Sequence, residues 1–291
     1  MMNASLSNSS CIGSCYVFDT VEQLTTPGAT NNEDRYFLSD STVVVLDGAT
    51  GLGESKVDAN WFTSRLIDKF VSNIRNGSGL IDSINGAIVS IDAEYRETGA
   101  DPNDIPPSAG GFFLQLCGDC LKYVYLGDCT MTIIGDDGTT EITGQSLRIL
   151  DDKVIRAMRD IRKTQGLDIK DAVKTEQIVD MLRAHRRLMN NPDGYRIFAP
   201  FMPPLSQNDV HTVEADKVRE IVLHSDGYDL IHDELVKGDI DIEKLTKDLR
   251  ATEQADSALN EYPRFKVSDD ATYVRLRIHK VNDSTSRRQR T

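Results

Sequence analysis

Residues 42–53, Thr-Val-Val-Val-Leu-Asp-Gly-Ala-Thr-Gly-Leu-Gly, drive a run of β-branched and aliphatic side chains straight into an Asp-Gly pair. So short an apolar run reads as a buried strand, and glycine lets the backbone turn just as a carboxylate arrives. Asp47 is therefore expected at the rim of a sheet. Taken alone, such a site is an ordinary strand closed by a turn. The pattern recurs, however. Residues 121–128 and 221–227 also end apolar runs in Asp beside Gly, and Asp269-Asp270 precedes a strand-like run over 273–278. Four strand ends carrying Asp point to a convergent metal site.

The rest of the pattern supplies a frame for those ends. Further strands are expected at 15–22, 35–39, 112–117, 130–134, 141–144, 195–198 and 209–214, with 35–39 and 42–47 forming a hairpin. Trp61, Leu66, Ile67, Phe70 and Val71 recur at helical spacing, as do Ile81, Ile84, Ile88, Ile91 and Tyr95. Each helix has one apolar stripe, as needed to lie on one face of a sheet. A charged amphipathic helix is expected over 241–249. Residues 1–14 read as a flexible leader, 15–281 as one domain, and 282–291 as a disordered tail.

Charge narrows the partners. A net charge of −13 argues against nucleic acid or an anionic membrane, both of which need a positive face. No stretch of about 18 apolar residues is present, and the polar N-terminus has no secretory pattern, so a cytoplasmic location is expected. Residues 151–196 depart from the rest in being helical and basic. They hold eleven Lys and Arg against eight Asp and Glu, which leaves the remainder of the chain at −16. Arg156, Arg159 and Lys163 share one helix face, and Arg183 and Arg187 share another; such faces are solvated surfaces unless something anionic meets them. His185 falls on an apolar stripe, as a core histidine would. Cys117 and Cys120 flank Gly118-Asp119; the spacing resembles a metal or redox pair, but a two-residue hairpin turn with free thiols accounts for it.

Carboxylates without clustered His or Cys favour hard cations such as Mg²⁺ or Mn²⁺ over Zn²⁺. Two such ions roughly 3.5–4 Å apart can share a bridging water, lower its pKa and neutralise phosphate oxygens during in-line attack. Neither a Gly-rich phosphate loop ending in Lys-Ser/Thr nor a Gly-x-Ser-x-Gly elbow is present.

Asn32-Glu33-Asp34, the apolar run into Asp47-Gly48, Gly127-Asp128, Ser225-Asp226-Gly227 and Asp269-Asp270-Ala271-Thr272 resemble, in that order, the landmarks of the metal-dependent protein phosphatase 2C family. The resemblance spans residues 15–280. It implies an α+β fold, a four-layer α-β-β-α sandwich of two antiparallel sheets flanked by helices. It also implies hydrolysis of phosphoserine and phosphothreonine esters of a phosphorylated protein by a water bridging two Mg²⁺ or Mn²⁺ ions. Carried over motif by motif, Asp47 would bridge the ions, with the Gly48 carbonyl and Glu33 serving one of them and Asp226 and Asp269 the other. Asp34 would orient the attacking water, and Asp128 matches the position of a third, weaker ion. Asp270 stands where the family usually has Asn.

Three departures bear on substrate handling. Ala29 replaces the family's phosphate-binding Arg, Ala49 replaces the His that often follows Asp-Gly, and residues 151–196 diverge from the usual connecting segment. Arg183, Arg186 and Arg187 are candidates for the missing phosphate contact. The competing reading is a phosphatase-like regulatory or binding module with little turnover. A two-metal nuclease is disfavoured by the acidic charge.

Overall fold

The computed structural model describes residues 14–51, 56–100 and 104–281; the expected leader, apart from Ser14, and the tail at 282–291 lie outside them. Two five-stranded antiparallel sheets carry the fold. The first has the order β2 (Arg35–Leu38), β3 (Thr42–Ala49), β4 (Ser108–Cys117), β5 (Cys120–Leu126) and β8 (His211–Glu214). The second runs β1 (Tyr16–Thr26), β10 (Ala271–Lys280), β9 (Glu220–His224), β6 (Thr130–Gly135) and β7 (Gly138–Thr143).

The continuous apolar run in β3 follows from its being covered on both faces. Val43 and Val45 point into the sandwich interior with Phe112, Leu114, Met131, Leu223 and Val274. Val44 and Leu46 point outward, beneath α1 (Ala59–Arg75) and α2 (Leu80–Glu97). Asp58 caps α1 by accepting from the Trp61 N–H at 2.8 Å. Phe62 takes the fully buried place on this helix, while Trp61, the residue singled out by periodicity, is only half-buried. Phe113 is fully buried, edge-on to Phe70 and Phe198 at centroid distances of 4.7 and 5.0 Å. Over the second sheet lies α7 (Ile242–Ala255), packing Ile242 and Leu249 against Val222 and Tyr273. The α-β-β-α layering expected from the sequence is thus the observed one.

The basic segment folds as α3 (Gln145–Gln165), α4 (Ile169–Ala172) and α5 (Glu176–Arg186), with a short α6 (His232–Val236) further on. Val154, Met158, Ile161, Ile169, Ala172, Ile178 and Leu259 give α3–α5 a small apolar core of their own. The expected strand at 195–198 is not one. Its backbone makes isolated bridges, Ala109 with Phe198 and Met189 with Tyr195. Pro200, Pro203 and Pro204 follow closely, and proline has no N–H with which to extend a ladder. Cys117 and Cys120 face each other across the hairpin turn, as expected. Cys120 is free, but Cys117 is disulfide-bonded, so the expectation of two free thiols fails at Cys117.

Candidate metal centre

Strand register gathers the acidic segments at one end of the sandwich. In the first sheet Asp47 pairs with Gly110, and the neighbouring Gly111 pairs with Leu126 at the end of β5. In the second, His224 at the end of β9 pairs with Tyr273 near the start of β10 and with Thr130 at the start of β6. Asp128, Asp226 and Asp269 all lie in the segments just beyond those strand ends.

Asp47 does not end its strand. β3 runs on through Gly48, opposite Ala109, to Ala49, opposite Ser108. Glycine is needed at 48 for a close approach rather than a turn: a Cβ there would stand 2.5 Å from the Glu33 carbonyl oxygen. That contact brings Glu33 against the strand beside Asp47. Gly127, by contrast, is a true turn residue with φ +81°, and a Cβ on it would meet the Gly110 Cα at 2.5 Å. The turn sets the Asp128 carboxylate over Gly110, next to Asp47's partner in the sheet.

Buried Asp34 links the two sheets. Its Oδ2 accepts from the Ser225 hydroxyl at 2.7 Å, and Ser225 Oγ accepts from the Thr272 N–H at 2.9 Å. Its Oδ1 is buried with no hydrogen-bond partner. Burial raises the Asp34 carboxyl to about 7, against the lowering effect of Ser225 and Thr272. Asp270 has a clear physical role where Asn is usual. Its two oxygens accept from the Gly28 N–H at 2.8 Å and the Glu33 N–H at 2.6 Å, fastening the 28–33 loop to the 269–270 segment. An Asn has only one acceptor oxygen for that task.

The remaining carboxylates repel one another. Burial, then the charges of Asp226, Asp34 and Asp128, pushes Asp47 well above the usual carboxylate range. Asp226 is raised in the same way, by surrounding protein first and then by Asp269 and Asp128. Its side chain is open to the cleft, within reach of the charge of both neighbours. Lys266 meets this charge, with its ammonium 2.6 Å from Asp269 Oδ1. Burial alone would lower its pKa, but Asp269, Asp47 and Asp226 raise it. Glu33 accepts from the Thr50 hydroxyl.

Among the described residues, no three Asp, Glu, His or Cys groups are drawn tightly enough to hold an ion as they stand. The donor set nevertheless fits hard divalent cations. It is all oxygen, burial and neighbouring carboxylates raise the pKa of Asp47 and Asp226, and Asp34 keeps a buried oxygen without a partner.

Of the three candidate arginines, the structure turns one toward the site. Arg186 donates to the Ser108 hydroxyl at 3.4 Å; burial raises the pKa of Asp128, and the charge of Arg148 and then that of Arg186 oppose the rise. Arg183 points outward to Asp180 at 3.3 Å, and Arg187 is exposed. His185 is half-buried beside Asp151, 3.7 Å away, rather than in an apolar core.

Sequence reasoning missed Arg148, which lies just before the basic segment. Its Nη2 donates to the Asp128 carbonyl at 3.0 Å and pairs with Asp229 Oδ2 at 2.9 Å. It missed Asp229 as well, raised by burial to about 6 despite Arg148, and Asp151, raised by burial to about 7. Buried His224 stands behind them, its Nε2 2.9 Å from His232 Nδ1, and burial lowers its pKa to about 4. Asp229, three residues after Asp226, was the one signal available.

No family model and no curated protein matches the sequence. Solved structures do resemble the fold. The catalytic domain of the serine/threonine protein phosphatase PstP in complex with two manganese ions is 16% identical, over 90% of this chain and 99% of that one, with a TM-score of 0.52. The Mycobacterium tuberculosis serine/threonine phosphatase PstP/Ppp gives 16%, 90%, 98% and 0.53. Stp1 from Staphylococcus aureus, also a serine/threonine phosphatase, gives 15%, 89%, 94% and 0.51. The chain therefore has the α+β sandwich fold of the protein phosphatase 2C type.

Proposed function

We propose that this protein hydrolyses phosphoserine and phosphothreonine esters of proteins with the help of divalent Mg²⁺ or Mn²⁺. The observation that carries this reading is the gathering of Glu33, Asp47, Asp128, Asp226 and Asp269 from both sheets at one end of a fold shared with serine/threonine phosphatases, one of them solved with two manganese ions. Glu33, Asp47, the Gly48 carbonyl, Asp226 and Asp269 would hold two cations, and Asp128 a weaker third. When bound, such ions supply the positive charge that makes water nucleophilic near neutral pH and offsets the charge of a phosphate monoester.

The chain's own residues do the rest. Asp34, fixed by Ser225, keeps one buried carboxylate oxygen, Oδ1, without a partner, and would use it to orient a water and take its proton. Asp270 holds the 28–33 loop, and with it Glu33, in place. Arg186 and Lys266 stand at the cleft as cations of the protein itself. Ala49 offers no proton to the leaving alkoxide.

A second reading, a binding module with little turnover, draws on Ala29 and on the Lys266–Asp269 pair, which competes for a ligand carboxylate. Hydrolysis of a generic aryl phosphate with and without Mn²⁺ separates the two. Metal-dependent turnover is expected, and its absence at saturating Mn²⁺ would favour the module.

A further inference from the structure

A second concavity lies away from the carboxylates, between the C-terminal half of α3 and the turn at 256–260. It is an open depression of about 710 Å³ lined by Arg156, Arg159, Arg162 and Lys163, with Asp160 the only acid among the lining residues and Asn260 on the opposite wall. We infer that it is an anion pocket that docks a phosphorylated residue of the substrate other than the one being hydrolysed. This rests on the phosphatase reading and names the substrate class, proteins phosphorylated at more than one nearby position.

A basic helix face is ordinarily a solvated one, and cations near a helix C-terminus are favoured by its dipole. Three observations separate this face from that background. The cations line an open concavity rather than a convex surface, with Arg156, Arg159 and Lys163 exposed and Arg162 partly buried. None of the four makes an ion pair among the described residues, although the chain carries a net charge of −13. The opposite wall is also built. Asp256 accepts from the Asn260, Glu261 and Tyr262 N–H groups, and Arg162 donates to the Ala258 carbonyl, tying the turn to α3. The Nε of Arg162 is left buried and without a partner.

Both walls lead back to the carboxylates. Arg148, at the other end of α3, pairs with Asp229 and holds the Asp128 carbonyl, while the chain beyond Asn260 runs on to Asp269. At about 1.5 Å per residue, Arg156, Arg159 and Lys163 stand roughly 12, 16 and 22 Å along the helix from Arg148. An extended peptide advances about 3.3 Å per residue, so one that ran alongside α3 from a phosphate near Arg148 would bring residues roughly four to seven positions away over the pocket. Guanidinium forks match phosphate oxygens in paired bonds and favour the dianion over a single carboxylate.

The test uses the full chain and peptides carrying one phosphoserine and, five residues away, either serine or a non-hydrolysable phosphonate. With Mn²⁺, the phosphonate should lower KM at least tenfold without changing kcat. R156Q/R159Q/K163Q should remove that gain while leaving aryl-phosphate kinetics unchanged; R159Q alone, at an exposed position, should remove part of it. In EDTA, a fluorescent peptide bearing only the phosphonate should bind the wild type and not the triple variant. A KM gain surviving within twofold in the triple variant would overturn the proposal. So would displacement of the probe by inorganic phosphate at the peptide's own concentration, which would assign the pocket to free phosphate. Failure of the phosphatase reading shows separately, as absent aryl-phosphate turnover, and leaves the binding arm readable.

Discussion

The carboxylate end of the sandwich and the α3–α5 segment are built on opposite principles. The first is acidic, sits on strands whose register is locked by pairing on both sides, and draws its residues from segments more than 200 positions apart. The second is basic, is assembled from local helical contacts around Met158 and Ile178, and carries its charges on exposed faces. The contrast teaches where precision is needed. Like charges crowded together in a cleft require a rigid frame, whereas the proposed phosphate-docking face tolerates a looser one, since long Arg and Lys side chains adapt to the ligand.

The comparison breaks first on stability. Phe113→Ala, emptying the space between Phe70 and Phe198, should cost about 3–5 kcal/mol and unfold both regions together. Met158→Ala should cost about 2–3 kcal/mol, with the loss confined to the helical segment. Denaturant titration paired with hydrogen exchange reads both; equal, global effects would remove the distinction between the cores.

Arg186 sharpens the boundary between the regions. Arg186→Ala should raise KM for a phosphopeptide by the equivalent of about 1.5–3 kcal/mol, the usual loss of a charged hydrogen bond. Arg183→Ala and Arg187→Ala, which alter outward-facing groups, should stay within twofold. Steady-state kinetics decides, and an Arg183 effect as large as that of Arg186 would contradict the placement.

A smaller effect is expected from pH. Asp151 has its folded pKa raised to about 7, so the folded state holds a proton that the unfolded state has released. Its contribution is whole below about pH 4 and is lost as pH rises to about 7, so stability falls across that window. Asp151→Asn should match the wild type near pH 4 and exceed it by about 1–2 kcal/mol at pH 8, because solvent at this partly exposed carboxyl screens the roughly 4 kcal/mol that a rise of this size would carry. Thermal melts across pH test this, and parallel curves for the two proteins would refute it.

How much was legible in the sequence follows the same divide. The sandwich was readable because apolar runs and helical stripes report burial directly, and Asp47, Asp128, Asp226 and Asp269 were marked by standing at the ends of such runs. The reason for Gly48 was not readable, because the approach of the Glu33 carbonyl is a tertiary contact. Arg148 escaped for a similar cause: nothing local signals that its guanidinium meets Asp229, 81 positions away. The non-strand at 195–198 escaped because its apolar pattern is real, while the prolines that stop the ladder lie just beyond it.

The central claim is that the carboxylates hold divalent ions, and calorimetric titration of Mn²⁺ into the metal-free protein tests it most directly. Two ions should bind to the wild type, and Asp47→Asn, folded by circular dichroism, should lose at least one of them together with aryl-phosphate turnover. No Mn²⁺ binding by the wild type, or binding and turnover unchanged in Asp47→Asn, would contradict the account.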